Sequence, residues 1–350
     1  MKIVLDGMGG DDAPQINVDG AIAALREFDD VEIALVGPQQ VLEQALSACA
    51  DKEGYGQVKT RLTIVDAPEV ITPQEHPVMA LRRKKNSNFC VGMDMVRRKE
   101  ADAFVSAGST GALMAGAMFK LGRIKGVGRP ALATLLPVPG RPLLMVDAGA
   151  NVDCKPEWVV EFGLMGSAYM RRVMNVEKPQ VGLLNIGAEA AKGNEQAQET
   201  YKLMAQEQPF EFCGNVEARD ALTGCCDVLA TDGFAGNVLL KNTEGVVSLL
   251  FGMIKKELMG SMKGKVAALL AKDSFRALKR SFDSTEIGGA PLLGVEGTVI
   301  KAHGNSNARA IFCALRQARS VVLSGVTDVI REEVALMTRA QEAQEEKPQS

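Results

Sequence analysis

The stretch Leu183–Glu195 reads LLNIGAEAAKGNE. With the two residues before it, this is a buried strand over Val181–Ile186, then a glycine turn, then the start of a helix. Asn185, Glu189, Lys192, Asn194 and Glu195 crowd the exit of that strand. In an open α/β sheet, ligands bind outside the carboxyl ends of the strands. A helix start contributes free N–H groups and a partial positive charge, which suits an anion. Lys192 adds a full, mobile charge. Taken alone, the stretch is equally well a plain turn with a solvated lysine, because such turns are common. The same architecture recurs at least four more times, and that recurrence favours a site.

Working outward, Lys2–Asp6 (KIVLD) is a short apolar strand followed by Gly7-Met8-Gly9-Gly10-Asp11. Those glycines permit close backbone approach and a nest of N–H groups. The spacing matches neither the dinucleotide fingerprint nor the P-loop. Val31–Gly37 and Leu62–Ala67 are further strands with helical segments between them, so the alternation implies a parallel sheet covered on both faces. Ala103–Ser106 leads into Ala107-Gly108-Ser109-Thr110-Gly111, where hydroxyls, free N–H groups and a helix start form an anion cradle. Leu143–Asp147 precedes Ala148-Gly149-Ala150-Asn151. Phe210–Cys213 precedes Gly214-Asn215, and Asp227–Thr231 precedes Asp232-Gly233 and Asn237. Several such turns on one edge would line a polar crevice.

Two histidines occur in the chain. His303 ends the strand Thr298–Ala302 beside Ser306 and is the better candidate for chemistry. His76, before a helix-opening proline, reads as structural. Arg82-Arg83-Lys84-Lys85 point in several directions around a helix and read mainly as a solvated face.

The 350 residues are 46% hydrophobic and carry a net charge of −3, which suits a globular core and supplies no basic field for nucleic acid. Aromatic residues are too few for base-stacking platforms. Seven cysteines, an odd number without a C-x-x-C, fit a reduced cytoplasmic compartment. No targeting segment is read at the N-terminus, no run is long enough to span a bilayer, and no ligand spacing suggests zinc. We expect neither metal nor organic cofactor.

Residues 246–282 change character. From Gly252 to Arg280, eight Lys/Arg stand against two acids, a local charge of +6. Gly260 and Gly264 suggest a break, so the segment reads as a helical hairpin with an apolar tip. The expected organisation is one catalytic domain over 1–335 that includes this hairpin, with a polar, disordered tail over 336–350.

Taken in order, DGMGGD (6–11), ALRRKKNS (80–87), SAGSTGA (106–112), DAGAN (147–151), LLNIGAEAAKGNE (183–195), GNVEARD (214–220), DGFAGNVLLK (232–241), GGAPLLG (288–294) and HGNSNA (303–308) resemble the bacterial phosphate acyltransferases of phospholipid synthesis. Departures are small: Ser109 stands where the family pattern has Asn, and Asn88 and Asn305 where it has Ser. The resemblance implies a three-layer αβα Rossmann-like fold akin to phosphotransacetylases and isopropylmalate dehydrogenases. It implies transfer of a long-chain acyl group from acyl carrier protein to inorganic phosphate, giving acyl phosphate. It also implies a homodimer lying on the cytoplasmic membrane surface, whose product feeds a membrane glycerol-3-phosphate acyltransferase.

Phosphate is itself the nucleophile, so the enzyme has to position it and stabilise an oxyanion. Lys192 and Asn237 are expected to hold the thioester–phosphate end, with His303 protonating the departing thiolate. Asp6, Gly9, Gly10, Ser106, Ser109, Thr110, Asn151, Asn185, Glu189, Asn215 and Asp232 are the expected binding residues. Lys263, Lys265, Lys272, Arg276, Lys279 and Arg280 suit docking of an acidic carrier, and Leu258, Met259, Met262 and Leu269 a reversible lipid contact. Competing readings are a phosphotransacetylase using acyl-CoA, a decarboxylating dehydrogenase, for which no convincing metal or dinucleotide site is seen, and a non-catalytic membrane scaffold.

Overall fold

The computed structural model describes the chain except residues 51–53, 139, 207, 283–285, 287 and 346–350, and gives no side-chain surroundings for 279–281 and 340–345. The described strands are β1 Lys2–Asp6, β2 Glu32–Gly37, β3 Leu62–Asp66, β4 Ala103–Ser106, β5 Ala131–Leu136, β6 Leu143–Val146, β7 Gln180–Asn185, β8 Glu211–Glu217, β9 Val228–Ala230, β10 Ala290–Leu293 and β11 Thr298–Lys301. They form one sheet in the order β3-β2-β1-β4-β11-β10-β5-β6-β9-β7-β8.

Strands β1, β2, β4, β6 and β9 are buried on both faces, which is why they read as uninterrupted apolar runs. Side chains alternate between two cores. Ile3, Leu5 and Val105 join one, while Val4 and Phe104 join the other. Helices cover both faces, so the architecture is the expected αβα sandwich.

The sheet reverses direction in its middle. Strand β10 is antiparallel to both β11 and β5, and β6 is antiparallel to β5. The strands β3-β2-β1-β4-β11 therefore run one way and β6-β9-β7-β8 the other. Ala290 lies opposite Lys301, Leu293 opposite Ala131, and Ala133 opposite Val146. Residues that follow β1, β4 and β11 and the oppositely directed β6 nevertheless line one cavity.

The hairpin is longer than its composition suggests. Its first arm is the far end of a helix spanning Gly233–Met259, 27 residues and about 40 Å. Only Gly233, Gly236 and Leu239 of this helix are buried, so the rest projects from the body. After the break at Gly260, helices Met262–Leu270 and Lys272–Ser281 return. Ser261 caps the first of them at the Gly264 N–H, 2.9 Å away. At the other end of the chain, helix Val326–Glu345 runs on past residue 335 and buries Met337. The helix thus extends into the segment read as a polar tail, where Met337 packs against the core. Residues 346–350 lie outside the described residues.

Candidate active site

Three adjacent loops build one wall of the cleft. Asp6, at the end of β1, is buried and accepts from Asn88 Nδ2 at 2.6 Å, Ser106 Oγ at 2.6 Å and the Met8 N–H at 3.0 Å. Burial pushes its pKa up, against the hydrogen bonds. Ser106 Oγ also accepts from the Gly108 N–H at 2.9 Å. Asn17 Nδ2 holds the carbonyls of Gly7 and Gly9 at 3.1 and 2.9 Å. A Cβ on Gly9 would fall 2.6 Å from Asp6 Oδ2 and 2.7 Å from the Gly108 nitrogen, so only glycine fits there. The Asp11 N–H donates to the Gly304 carbonyl at 2.8 Å, tying the β1 loop to the β11 loop. Asp6 and Ser106 thus lie beneath the surface and shape it, while Gly9, Gly10, Ser109 and Thr110 line it. Ser109 caps helix Thr110–Lys120 through the Ala112 N–H.

The facing wall is the β6 turn with the start of helix Gly233–Met259. Asp147 is buried and accepts from the Leu132 N–H at 2.9 Å, the Asn151 N–H at 2.7 Å and Asn151 Nδ2 at 3.0 Å. Asn151 Nδ2 also holds the Pro130 carbonyl at 2.8 Å. Asp232 caps the long helix, accepting from the Ala235 N–H at 2.7 Å. Asn151 and Asp232 therefore support the turn from behind. Asn237 lines the cavity and donates to the Ala148 carbonyl at 3.1 Å.

Two lysines complete the polar end. Lys301, the last residue of β11, lines the cavity with Lys241 and His303. Its ammonium donates to the Ala302 carbonyl. Burial lowers its pKa to about 8, with Lys241 acting in the same direction and Asp6 and Asp11 opposing. His303 is lowered by burial first, then by Lys241 and Lys301. Its carbonyl accepts from Ser306 Oγ at 2.6 Å.

From this end the cavity, about 1740 Å³, extends along the projecting helix past Val247, Phe251 and Leu258 to Phe275. It exceeds the ~300–1,000 Å³ of ordinary small-molecule sites. One continuous space thus joins N–H groups, hydroxyls and ammonium groups to an apolar trough.

The stretch around Lys192 lies elsewhere. Asn185 Nδ2 donates to the Lys192 carbonyl and to Asn215 Oδ1, both at 3.1 Å, and Asn215 Nδ2 donates to the Glu189 carbonyl at 2.9 Å. Together they hold the 186–193 loop. Asn185, Glu189, Lys192 and Asn215 are not among the residues lining the cavity, and Lys192 is exposed. His76 is exposed and outside it too. On the hairpin, Lys263 and Lys265 are exposed, Lys272 and Arg276 sit on the trough, and the side chains of Lys279 and Arg280 lie outside the described residues. Leu258 and Met259 line the trough, whereas Met262 and Leu269 point outward, 75% and 70% exposed.

Lys241 and Lys301 were not singled out from the sequence. The available signal was Lys301-Ala302-His303 at a strand end: a lysine closing a buried apolar strand points at whatever that strand faces.

These features define an α/β enzyme with the architecture of the phosphotransacetylases. A phosphotransacetylase from Streptococcus pyogenes superposes with a TM-score of 0.60 at 17% identity, covering 94% of each chain. The chain belongs to the phosphate acyltransferase family. It is 49% identical over 336 residues to a phosphate acyltransferase of Lysinibacillus sphaericus, and 46% identical over 334 residues to one of Clostridium novyi. Each alignment covers 95% of this chain and 98% of the relative. The family profile described as "Fatty acid synthesis protein" matches residues 1–329.

Proposed function

We propose that this acyltransferase moves a long-chain fatty acyl group from acyl carrier protein to inorganic phosphate, giving acyl phosphate for phospholipid synthesis. The observation that carries the reading is the continuous cavity with a cationic, N–H-rich pole and an apolar trough. The pole suits phosphate and the trough suits an acyl chain, with the thioester carbonyl at their junction.

Phosphate sits among the Gly9–Gly10 turn, Ser109, Thr110, Lys241 and Lys301. Asn237 donates to the tetrahedral oxyanion, where one donor is worth roughly 3 kcal/mol. Holding phosphate in line with the carbonyl supplies much of the remaining acceleration. Burial lowers the pKa of His303, which favours its neutral form. It acts as a base toward the phosphate proton and then returns that proton to the thiolate. Lys192 stands at the carboxyl edge of the β6-β9-β7-β8 half-sheet, outside the cavity, and enters when the 186–193 loop moves over it.

Lys263, Lys265, Lys272 and Arg276 receive the acidic carrier. In this reading Met262 and Leu269 rest on the membrane surface, the protein is a homodimer, and its product passes to a membrane glycerol-3-phosphate acyltransferase. Among the described residues no helix is long and apolar enough to cross a membrane.

The test is acyl phosphate formation from palmitoyl-acyl carrier protein with and without inorganic phosphate, with palmitoyl-CoA in parallel. Phosphate-dependent product from the carrier thioester is expected. Product from the CoA thioester alone would turn the assignment to a phosphotransacetylase, and product from neither would turn it to a scaffold.

A further inference from the structure

Cys213 and Cys226 are not among the residues that line the cavity, and the reaction above uses neither. Cys213 owes its direction to a bulge. Strand β8 pairs Phe212 with Val181 and then Gly214 with Gly182, which leaves Cys213 as the extra residue. Gly214 takes φ +98°, the left-handed conformation such a turn requires. A bulge re-aims a side chain. Here it brings the Cys213 sulfur within 3.3 Å of the Val181 carbonyl.

Gly182, with no side chain, leaves room beneath. A Cβ there would lie 3.3 Å from Cys226 Sγ and 3.5 Å from Cys213 Sγ, so both sulfurs converge over one residue. Cys213 is exposed and Cys226 buried. Their proximity lowers the pKa of Cys213 and raises that of Cys226. An accessible sulfur whose pKa is lowered, beside a second thiol, is the arrangement of a redox-sensing cysteine with its resolving partner. Cys213 on β8 and Cys226, two residues before β9, flank β7, so a bridge over Gly182 requires the edge strand β8 to move. Cys225 instead donates to the Asp220 carbonyl at 3.4 Å.

The pair has a lever. Asn215, two residues beyond Cys213, holds Asn185 and the Glu189 carbonyl, and so roots the 186–193 loop. We propose that Cys213 and Cys226 form a reversible redox pair that takes a hydroperoxide as oxidant and whose closure shifts the loop carrying Lys192. The Cys213 thiolate attacks a peroxide oxygen. The O–O bond breaks, one water or alcohol leaves after protonation, and a sulfenic acid remains. Cys226 then attacks the sulfenic sulfur and expels water as the S–S bond forms. Two thiols are oxidised and one hydroperoxide is reduced.

The reduced full-length protein would be exposed to near-stoichiometric hydrogen peroxide, alkylated with N-ethylmaleimide, digested and weighed. The expected product is a Cys213–Cys226 cross-linked peptide, about 2 Da lighter than the dithiol and reopened by dithiothreitol. Cys213→Ser abolishes it, Cys226→Ser leaves a sulfenic acid at Cys213 that dimedone captures, and Cys225→Ser changes nothing. Amide exchange over 186–193 differs between the reduced and oxidised proteins by at least about threefold. The proposal is overturned if Cys213 still alkylates fully after peroxide, if the bridge joins Cys225 to Cys226, or if exchange in that loop is unchanged. Should a serine variant not fold, the wild-type cross-link and exchange decide alone.

Discussion

Asn237 lies directly over Gly149: a Cβ on Gly149 would fall 2.5 Å from Asn237 Nδ2. Gly149 also has φ +128°, which disfavours any side chain. The glycine therefore sets where Asn237 can stand. Asn237→Ala should lower kcat by about 10²-fold or more while leaving the KM for phosphate near wild type. Gly149→Ala should reproduce most of that loss, and the double variant should be no slower than the worse single one, since both act on one donor. Additive losses in steady-state kinetics would separate the two residues.

Lys301 supplies a charge that pH can remove. Its folded pKa, about 8, lies below the usual lysine value because of burial. The ammonium is present below pH 8 and is lost as pH rises through it. The kcat/KM for phosphate should then decline above about pH 8, a limb that reports free-enzyme ionisation. Lys301→Met should raise the KM for phosphate about tenfold or more and abolish that limb. For stability the sign is opposite, since a base whose pKa is lowered penalises the folded state while it is protonated. Lys301→Met should therefore unfold at an equal or higher temperature at pH 7.

His303 has a depressed pKa, so in the proposed role of base its contribution is lost as pH falls below the ordinary histidine range. His303→Gln should lower kcat by about 10²-fold and flatten the acid side of the pH–rate profile. Lys241 is one of the groups that depress it. Lys241→Met should accordingly move the wild-type acid limb upward in pH.

Lys263 and Lys265 are exposed on the hairpin. Lys263→Glu with Lys265→Glu should raise the KM for palmitoyl-acyl carrier protein severalfold at low salt and reduce its salt dependence. Turnover of palmitoyl-CoA should hardly change. An equal effect on both donors would deny the hairpin a docking role.

Lys192 is exposed and its neighbours hold the loop through backbone carbonyls, so Lys192→Ala should leave thermal unfolding unchanged. If the loop brings its ammonium to the cavity, kcat falls by about tenfold or more. Unchanged turnover would remove Lys192 from the chemistry.

The sequence by itself determined the layers and the loops. Strands such as KIVLD, EIALVG and LLMV are continuous apolar runs because both faces of those strands are covered. Gly9 and its neighbours were legible as a close backbone approach, and a Cβ on Gly9 would indeed collide with Asp6 and Gly108. Motif order was enough to point to the family. Only the tertiary structure decided which loops share a cavity. Strand direction reverses at β10, a nonlocal pairing that carries no local signal. Asn237, His303 and Lys301 line one cavity, while Asn185, Glu189, Lys192 and Asn215 lie outside the lining. The structure likewise buries Asp6, Ser106 and Asn151, and uses Asp232 to cap the long helix. Residue type states what a side chain can donate or accept, whereas register and strand direction decide what it meets.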